Sequence, residues 1–81
     1  MIERKRYIEL CQKNAVYPNS VIVYYQGVKY YPISYLMWFD KKGNVQNSAI
    51  LHSIKSRSYM QVKLLDVWEN DHGQKNNNNS D

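Results

Sequence analysis

The feature that most constrains this chain is a tyrosine-rich stretch, residues 21–31, which places large side chains on either side of a Gln26-Gly27 pair. β-Branched and aromatic residues flank the pair, and glycine supplies the positive φ that a tight turn requires, so the stretch predicts a β-hairpin. Successive side chains of a strand point to opposite faces. Because both faces of this hairpin carry large side chains, either both are covered, as in a small barrel, or one is a binding surface.

A short amphipathic helix is predicted before the hairpin. Residues 2–14 contain no glycine or proline, and Tyr7, Leu10 and Cys11 recur at helical spacing. Asn14 would end the helix, with residues 17–19 as the turn that follows it.

Short strands are predicted after the hairpin. Pro32 has no N–H group, so it marks an edge position, a bulge or a break. Residues 33–39 are apolar on both faces, which is typical of a central strand that bends around a barrel corner or lies under the helix. The Asp and Gly of residues 40–44 predict a turn that starts a second hairpin.

The end of the predicted domain allows two interpretations. Alternating apolar and polar residues predict strands at residues 45–54 and 59–64, joined by a turn at residues 55–58. Residues 65–68 would then add a short turn of helix or a final strand. A helix over residues 59–68 is the alternative, because four apolar side chains there also share a helical face: Met60, Leu64, Val67 and Trp68. We favour the strand.

Together these elements predict an α+β fold. A short N-terminal helix precedes a small, strongly twisted antiparallel β meander, as in SH3-like or OB-like small barrels, which are common binding scaffolds. Residues 1–68 form one domain. Residues 69–81 contain no apolar side chain and are predicted to be a disordered polar tail, because they cannot bury enough surface to offset the entropy of ordering.

The chain has no feature of a secreted or membrane protein. Its N-terminus lacks a signal-peptide pattern, and no apolar run approaches the roughly 20 residues that span a bilayer. Cys11 is the only cysteine, which excludes an internal disulfide and any Cys-X-X-Cys site. We therefore predict a cytoplasmic protein with no membrane partner.

The sequence shows no pattern of catalysis or metal binding. A Cys11 nucleophile would need a base, and the two histidines, His52 and His72, lie in a distant strand and in the tail. Asp40 and Asp66 each have a simpler structural role in a turn. Three glycines form no phosphate-binding loop, and a lone histidine lacks the ligand count of a zinc site. We therefore predict a protein that is not an enzyme and has no cofactor.

Charge and aromatic content leave two binding hypotheses. Residues 1–68 hold ten basic and four acidic residues, a net charge of +6, which favours polyanions or an acidic protein surface, although solubilising charge explains it equally well. We favour a small adaptor or inhibitor that docks on another protein through an aromatic-rich sheet face with a basic rim. The alternative is a nucleic-acid-binding protein whose basic side chains contact phosphates while exposed tyrosines stack on bases.

Both hypotheses use one set of candidate residues. Its basic members are Arg4, Lys5, Arg6, Lys41, Lys42, Lys55 and Arg57, and its aromatic members are Tyr24, Tyr31 and Tyr59. The structural alternative for the tyrosines is cross-strand packing. Self-association through an exposed edge strand is a variant of the protein-binding hypothesis, because Pro32 and the lysines protect only some edges.

Overall fold

A computed structural model describes residues 1–70, so the predictions for residues 71–81 and His72 lie outside the described residues. Helix α1 and five strands follow one another along the chain, and the strands form one antiparallel sheet in the order β4-β3-β2-β1-β5. A short 3-10 helix, Leu64–Asp66, connects β4 to β5. The bounds are Arg4–Val16 for α1, Val23–Tyr25 for β1, Val28–Phe39 for β2, Val45–Ser53 for β3, Tyr59–Lys63 for β4 and Val67–Trp68 for β5.

Helix α1 extends two residues past its predicted end. The N–H of Tyr17 still donates to the Lys13 carbonyl at 2.9 Å, which continues the helical hydrogen bonding past Asn14. The prediction that Asn14 ends the helix is therefore wrong. Asn14 is buried, and its side chain bonds to other parts of the chain rather than to the helix end.

Both predicted hairpin turns are present. Gln26 and Gly27 have φ values of 51° and 79°, and positive φ at both central residues is the requirement of a type I′ turn. In the second turn the Asp40 carboxylate accepts hydrogen bonds from the N–H groups of Lys42 and Asn44, each at 2.9 Å. Gly43 has φ 85°, a conformation that glycine adopts without strain.

Pro32 lies at a bulge within β2, which is one of the three settings predicted for it. The pairing of β2 with β3 shifts register between Pro32 and Ser34. The pairing of β2 with β1 ends at Tyr30. Because β1 has no residue to pair with β2 beyond Tyr30, the second half of β2 pairs with β3 alone.

The core lies between α1 and one face of the sheet, which we call the inner face. Tyr7 and Leu10 of the helix pack there against small and branched strand residues, which are at most 8% exposed: Val23, Ala49, Leu51, Val62 and Val67. Side chains of the opposite, outer face are mostly exposed or half-buried. Helix α1 therefore covers the inner face and leaves the outer face open.

The sheet is strongly curled and is not closed. Strands β4 and β5 are its two edges, and four strand spacings would separate them by about 19 Å in a flat sheet. Only Leu64–Asp66 connects them, a span of at most about 14 Å, so the edges must curl toward each other. The helix and the antiparallel sheet are confirmed, but β4 and β5 do not pair, and the predicted SH3-like or OB-like barrel is not confirmed.

The 3-10 helix and β5 decide the ambiguous segment. Residues 59–63 are strand, and the predicted short helical turn and final strand both occur, one after the other. A helix over residues 59–68 is therefore excluded. No helix within the described part of the chain is long and apolar enough to cross a bilayer.

Candidate binding surfaces

One exposed apolar surface is the hairpin tip, which we define as residues 36–45, the end of β2, the turn and the start of β3. Trp38 is 42% exposed and Phe39 is 65% exposed. The other large apolar side chains of the tip are 42–49% exposed: Leu36, Met37 and Val45. Residues 30–39 contain no charged side chain.

The tip is exposed because it extends beyond its neighbouring strands. Strand β1 pairs with β2 no further than Tyr30, and β4 pairs with β3 no further than Ser48. What remains is a two-stranded ribbon, which has apolar side chains on both of its faces. The prediction that residues 33–39 form a covered central strand is therefore wrong for the second half of the run, because coverage depends on where the neighbouring strands end.

Side-chain hydrogen bonds fix the tip to the rest of the sheet. Trp38 donates its indole N–H to Ser48 Oγ at 3.1 Å, and the Gln61 amide donates to the same oxygen at 3.2 Å. On the inner face the Tyr35 hydroxyl donates to Asn47 Oδ1. Hydrogen bonds from the Asn44 N–H and other donors lower the pKa of Asp40. These bonds hold the Trp38 ring and the turn in one arrangement.

A second surface lies on the outer face at the opposite end of β3. His52 is directly opposite Tyr31 on β2 and Tyr59 on β4. The His52 and Tyr59 rings are stacked, with centroids 4.5 Å apart, and the Tyr31 centroid is 6.3 Å from that of His52. We call these three rings the aromatic row. Tyr24 is on the same face, opposite Lys29 and Trp68.

A shallow groove lies near the aromatic row. It has a volume of about 360 Å³ and is lined by residues of the first hairpin turn and of the β3–β4 turn: Gly27, Val28, Lys29, Ser53, Ile54 and Lys55. Arg57 lies in the same β3–β4 turn, with φ 61°. Lys29 and His52 were not among the predicted site residues, because their proximity to the predicted residues depends on strand register.

The predicted basic residues do not form one patch. Lys41 and Lys42 lie in the turn of the hairpin tip, Lys55 and Arg57 lie at the other end of β3, and Arg4-Lys5-Arg6 lies on α1. Of the tyrosines, the structure brings Tyr31 and Tyr59 together through His52 and places Tyr24 on the same face.

Arg6 is occupied by acidic partners. Its guanidinium is 2.5 Å from a carboxylate oxygen of Glu69 and 3.5 Å from one of Glu9. The hydrogen bond and charge of Glu69 raise the pKa of Arg6, and Arg6 in turn lowers the pKa of Glu69. The Arg6 charge is therefore neutralised locally. Glu69, assigned to the tail by sequence, contacts the domain.

Cys11 and His52 cannot form a catalytic pair. Cys11 is on α1 and packs at the core under the inner face, whereas His52 stacks on the outer face, so the sheet separates them. Burial raises the pKa of the Cys11 thiol, which disfavours the reactive thiolate. Within residues 1–70, no group of three or more His, Cys, Asp and Glu side chains is arranged to hold a metal ion.

Comparisons of the chain with protein-family models, with curated proteins and with solved structures gave no match. The function is therefore argued from the two surfaces alone.

Proposed function

We propose that this chain is a protein-binding module that docks a partner protein on the hairpin tip. The observation that supports this is the set of large apolar side chains on both faces of a two-stranded ribbon, four of which belong to an uncharged run of ten residues, 30–39. Trp is among the residues that most often dominate the free energy of binding, and Phe and Met are enriched in interfaces.

The exposed area is large enough to matter. Aromatic side chains present about 150–250 Å² each, so the exposed parts of Trp38 and Phe39 amount to roughly 200 Å². Burying that area contributes about 5 kcal/mol before the entropy of association is subtracted. Hydrogen bonds already order the ribbon and the Trp38 ring, which reduces the entropy lost on binding.

Lys41 and Lys42 form a basic rim at the tip. Both are exposed, and the one acidic side chain of the turn, Asp40, is engaged by backbone N–H groups. A basic rim around an apolar centre steers an acidic partner surface and adds little to the final affinity.

The finer description of the fold is part of this proposal. An SH3-like or OB-like scaffold is supported by the strong curl of the five-stranded antiparallel sheet. Such scaffolds serve many functions, so the site rather than the fold carries the functional argument.

Phe39→Ser is expected to weaken partner binding by roughly 30-fold, the effect of losing about 2 kcal/mol at an interface anchor. The tagged protein and its variants would be used to purify partners from cells, followed by titration of the recovered partner. Leu65→Ser is the matched control, because Leu65 is also 65% exposed but lies in the 3-10 helix, outside the tip. Equal partner recovery with both variants would refute docking at the tip.

A second candidate function, nucleic-acid binding, is favoured by the aromatic row and the basic residues beside it. Tyr59 is 64% exposed and stacks on His52. Lys29 and Lys55 line the adjacent groove. Stacking on an unpaired base is worth roughly 1–3 kcal/mol, and the lysines would contact the phosphates.

We expect that Lys55→Glu with Arg57→Glu abolishes binding of single-stranded RNA or DNA without unfolding the domain. Lys41→Glu with Lys42→Glu is the control, because it makes the same charge change at the other end of β3. Fluorescence anisotropy at about 50 and 200 mM salt measures both, since a phosphate-dominated complex weakens steeply over that range. Equal losses of binding in the two variants would show that net charge, rather than the position of these residues, accounts for the binding.

A further inference from the structure

The second half of β2 has a free backbone edge. Strand β1 pairs with β2 only as far as Tyr30, and Ile33 lies against the Tyr7 hydroxyl of the helix. Residues 34–39 therefore pair with β3 on one side and with no described strand on the other. Unpaired N–H and C=O groups along such an edge form a template for another strand.

The other edges of the sheet are shorter or better protected, and β3 leaves only three residues, 45–47, unpaired beyond β4. Strand β5 has two residues, and β4 ends in Lys63 and has an exposed Gln61 on the same face. Short length and lysine are two devices that prevent edge-to-edge association. Neither device protects residues 34–39, because this edge is six residues long and has no charged side chain.

A partner at this edge has to cover both faces of the ribbon. Leu36 and Trp38 are on the outer face, and Met37 and Phe39 are on the inner face beyond the helix. A globular surface pressed against one face would leave the other exposed. A strand added at the edge places side chains on both faces at once.

The edge is complementary to itself. In antiparallel pairing about a two-fold axis at Met37, Met37 faces its own counterpart, and Leu36 of one copy faces Trp38 of the other. Tyr35 then faces Phe39 in the same way. All five opposed positions are apolar or aromatic, and no charged residue enters the pairing.

We infer that the partner of the hairpin tip is a second copy of this chain, joined edge to edge through residues 35–39 of β2 into one continuous sheet. This inference rests on the proposed protein-binding function of the tip. The exposed apolar side chains of residues 36–39 offer roughly 400 Å² per copy, so a symmetric pair buries at most about 800 Å² of side-chain area, which is at the low end of interface sizes.

Disulfide trapping tests the pairing. In the full chain with Cys11→Ala, Met37→Cys places two thiols across the two-fold axis. Opposed Cα atoms of antiparallel strands are about 4.5–5.5 Å apart, which is within disulfide range. We expect a covalent dimer under mild oxidation. Val45→Cys is the control, because Val45 is as exposed as Met37, at 49% and 48%, but lies on β3.

Sedimentation equilibrium gives a second readout without cysteine. The wild type should dimerise at micromolar concentrations, Met37→Lys should weaken the dimer at least roughly tenfold, and Val45→Lys should change it much less. Because both copies are basic, added salt should leave the dimer unchanged or strengthen it. Circular dichroism checks that the variants are folded.

The possible results separate this inference from the proposed function. A monomeric wild type without a Met37→Cys cross-link would overturn the second-copy inference, and so would a cross-link at Val45→Cys in preference to Met37→Cys. If Phe39→Ser still weakened binding of a different protein, the tip would remain a docking surface for that protein. If Phe39→Ser weakened neither the dimer nor the binding of a different protein, the docking function proposed for the tip would be refuted.

Discussion

Tyr7→Ala is expected to bring the domain close to the limit of folding, with a loss of about 3–5 kcal/mol in the free energy of unfolding. Tyr7 has no exposed surface and is the largest fully buried side chain among the described residues. Truncating a buried aromatic ring leaves a cavity at that cost, and small domains have a total stability of about 5–15 kcal/mol. Urea denaturation followed by tryptophan fluorescence measures the loss. Tyr17→Ala, at a 64% exposed position, should change stability by less than about 0.5 kcal/mol.

Tyr7→Phe separates the hydroxyl from the ring. The hydroxyl donates to the Ile50 carbonyl at 2.9 Å, and losing this bond should cost about 1–2 kcal/mol. Burial also raises the pKa of Tyr7 well above its usual value of 10.0, with Cys11 adding to the effect. The folded protein therefore keeps a proton that the unfolded chain releases above about pH 10, so stability falls as pH rises through that range.

The pH dependence distinguishes the buried hydroxyl from the other ionisable groups. In a Cys11→Ala background, the free energy of unfolding should fall above about pH 10 by at most roughly 1.4 kcal/mol per pH unit through Tyr7. Tyr7→Phe should lack this component. If both proteins lost stability in parallel between pH 9 and about pH 11, Tyr7 would not be the group that titrates.

Local chemistry allowed the turns and most strands to be predicted. Gln26-Gly27 and residues 40–44 act through the φ preferences of glycine and the hydrogen bonds of Asp40, which need no information from elsewhere in the chain. The same is true of Pro32, whose missing N–H restricts it to a few settings wherever it occurs.

Coverage of the elements could not be predicted, because it depends on where neighbouring strands end. Residues 33–39 have the composition of a buried strand, yet Trp38 and Phe39 are exposed. They are exposed because β1 pairs with β2 no further than Tyr30, and β4 pairs with β3 no further than Ser48. The closure of the sheet is a similar case. Helix α1 covers the inner face, so the core is buried although β4 and β5 do not pair.

The sequence indicated candidate residues, whereas the way they group in space depends on the fold. Tyr31 and Tyr59 were predicted to be exposed rings, but their connection through His52 is a consequence of strand register. The basic residues were treated as one set, whereas the fold distributes them over the helix and the two ends of β3. Arg6 is also neutralised by Glu69, which is 63 residues away in sequence.

The separation of the hairpin tip from the aromatic row has a functional consequence. The apolar hairpin tip and the aromatic row lie at opposite ends of the nine-residue strand β3, and Val45 is about 24 Å from His52 along the strand. A partner at the tip would leave the aromatic row and its groove accessible. Edge-to-edge pairing would therefore keep the second surface free in each copy, so the two functions proposed for the chain are compatible in one assembly.

Asn14→Ala should destabilise the domain by about 2–4 kcal/mol, although alanine is the better helix former. The Asn14 side chain is buried at 7% exposure. Its amide donates to the Pro32 carbonyl at 3.2 Å, and its oxygen accepts from the N–H groups of Ser20 and Val21 at 3.1 and 3.3 Å. Removing it leaves backbone groups without partners at the junction of α1, the following loop and the β2 bulge.

Asn14→Asp separates the effect of the donor contact of this side chain from the effect of its two acceptor contacts. The carboxylate keeps the two acceptor contacts to Ser20 and Val21 but cannot donate to Pro32, and it places a charge in a buried site. We expect a loss of stability that becomes smaller at low pH, where the introduced carboxyl group is protonated and donates again. Gln12→Ala, at an exposed position of the same helix, is the control in urea denaturation. A loss of less than about 0.5 kcal/mol in Asn14→Ala would show that water replaces the lost hydrogen bonds, and that the helix is held to the bulge by apolar packing alone.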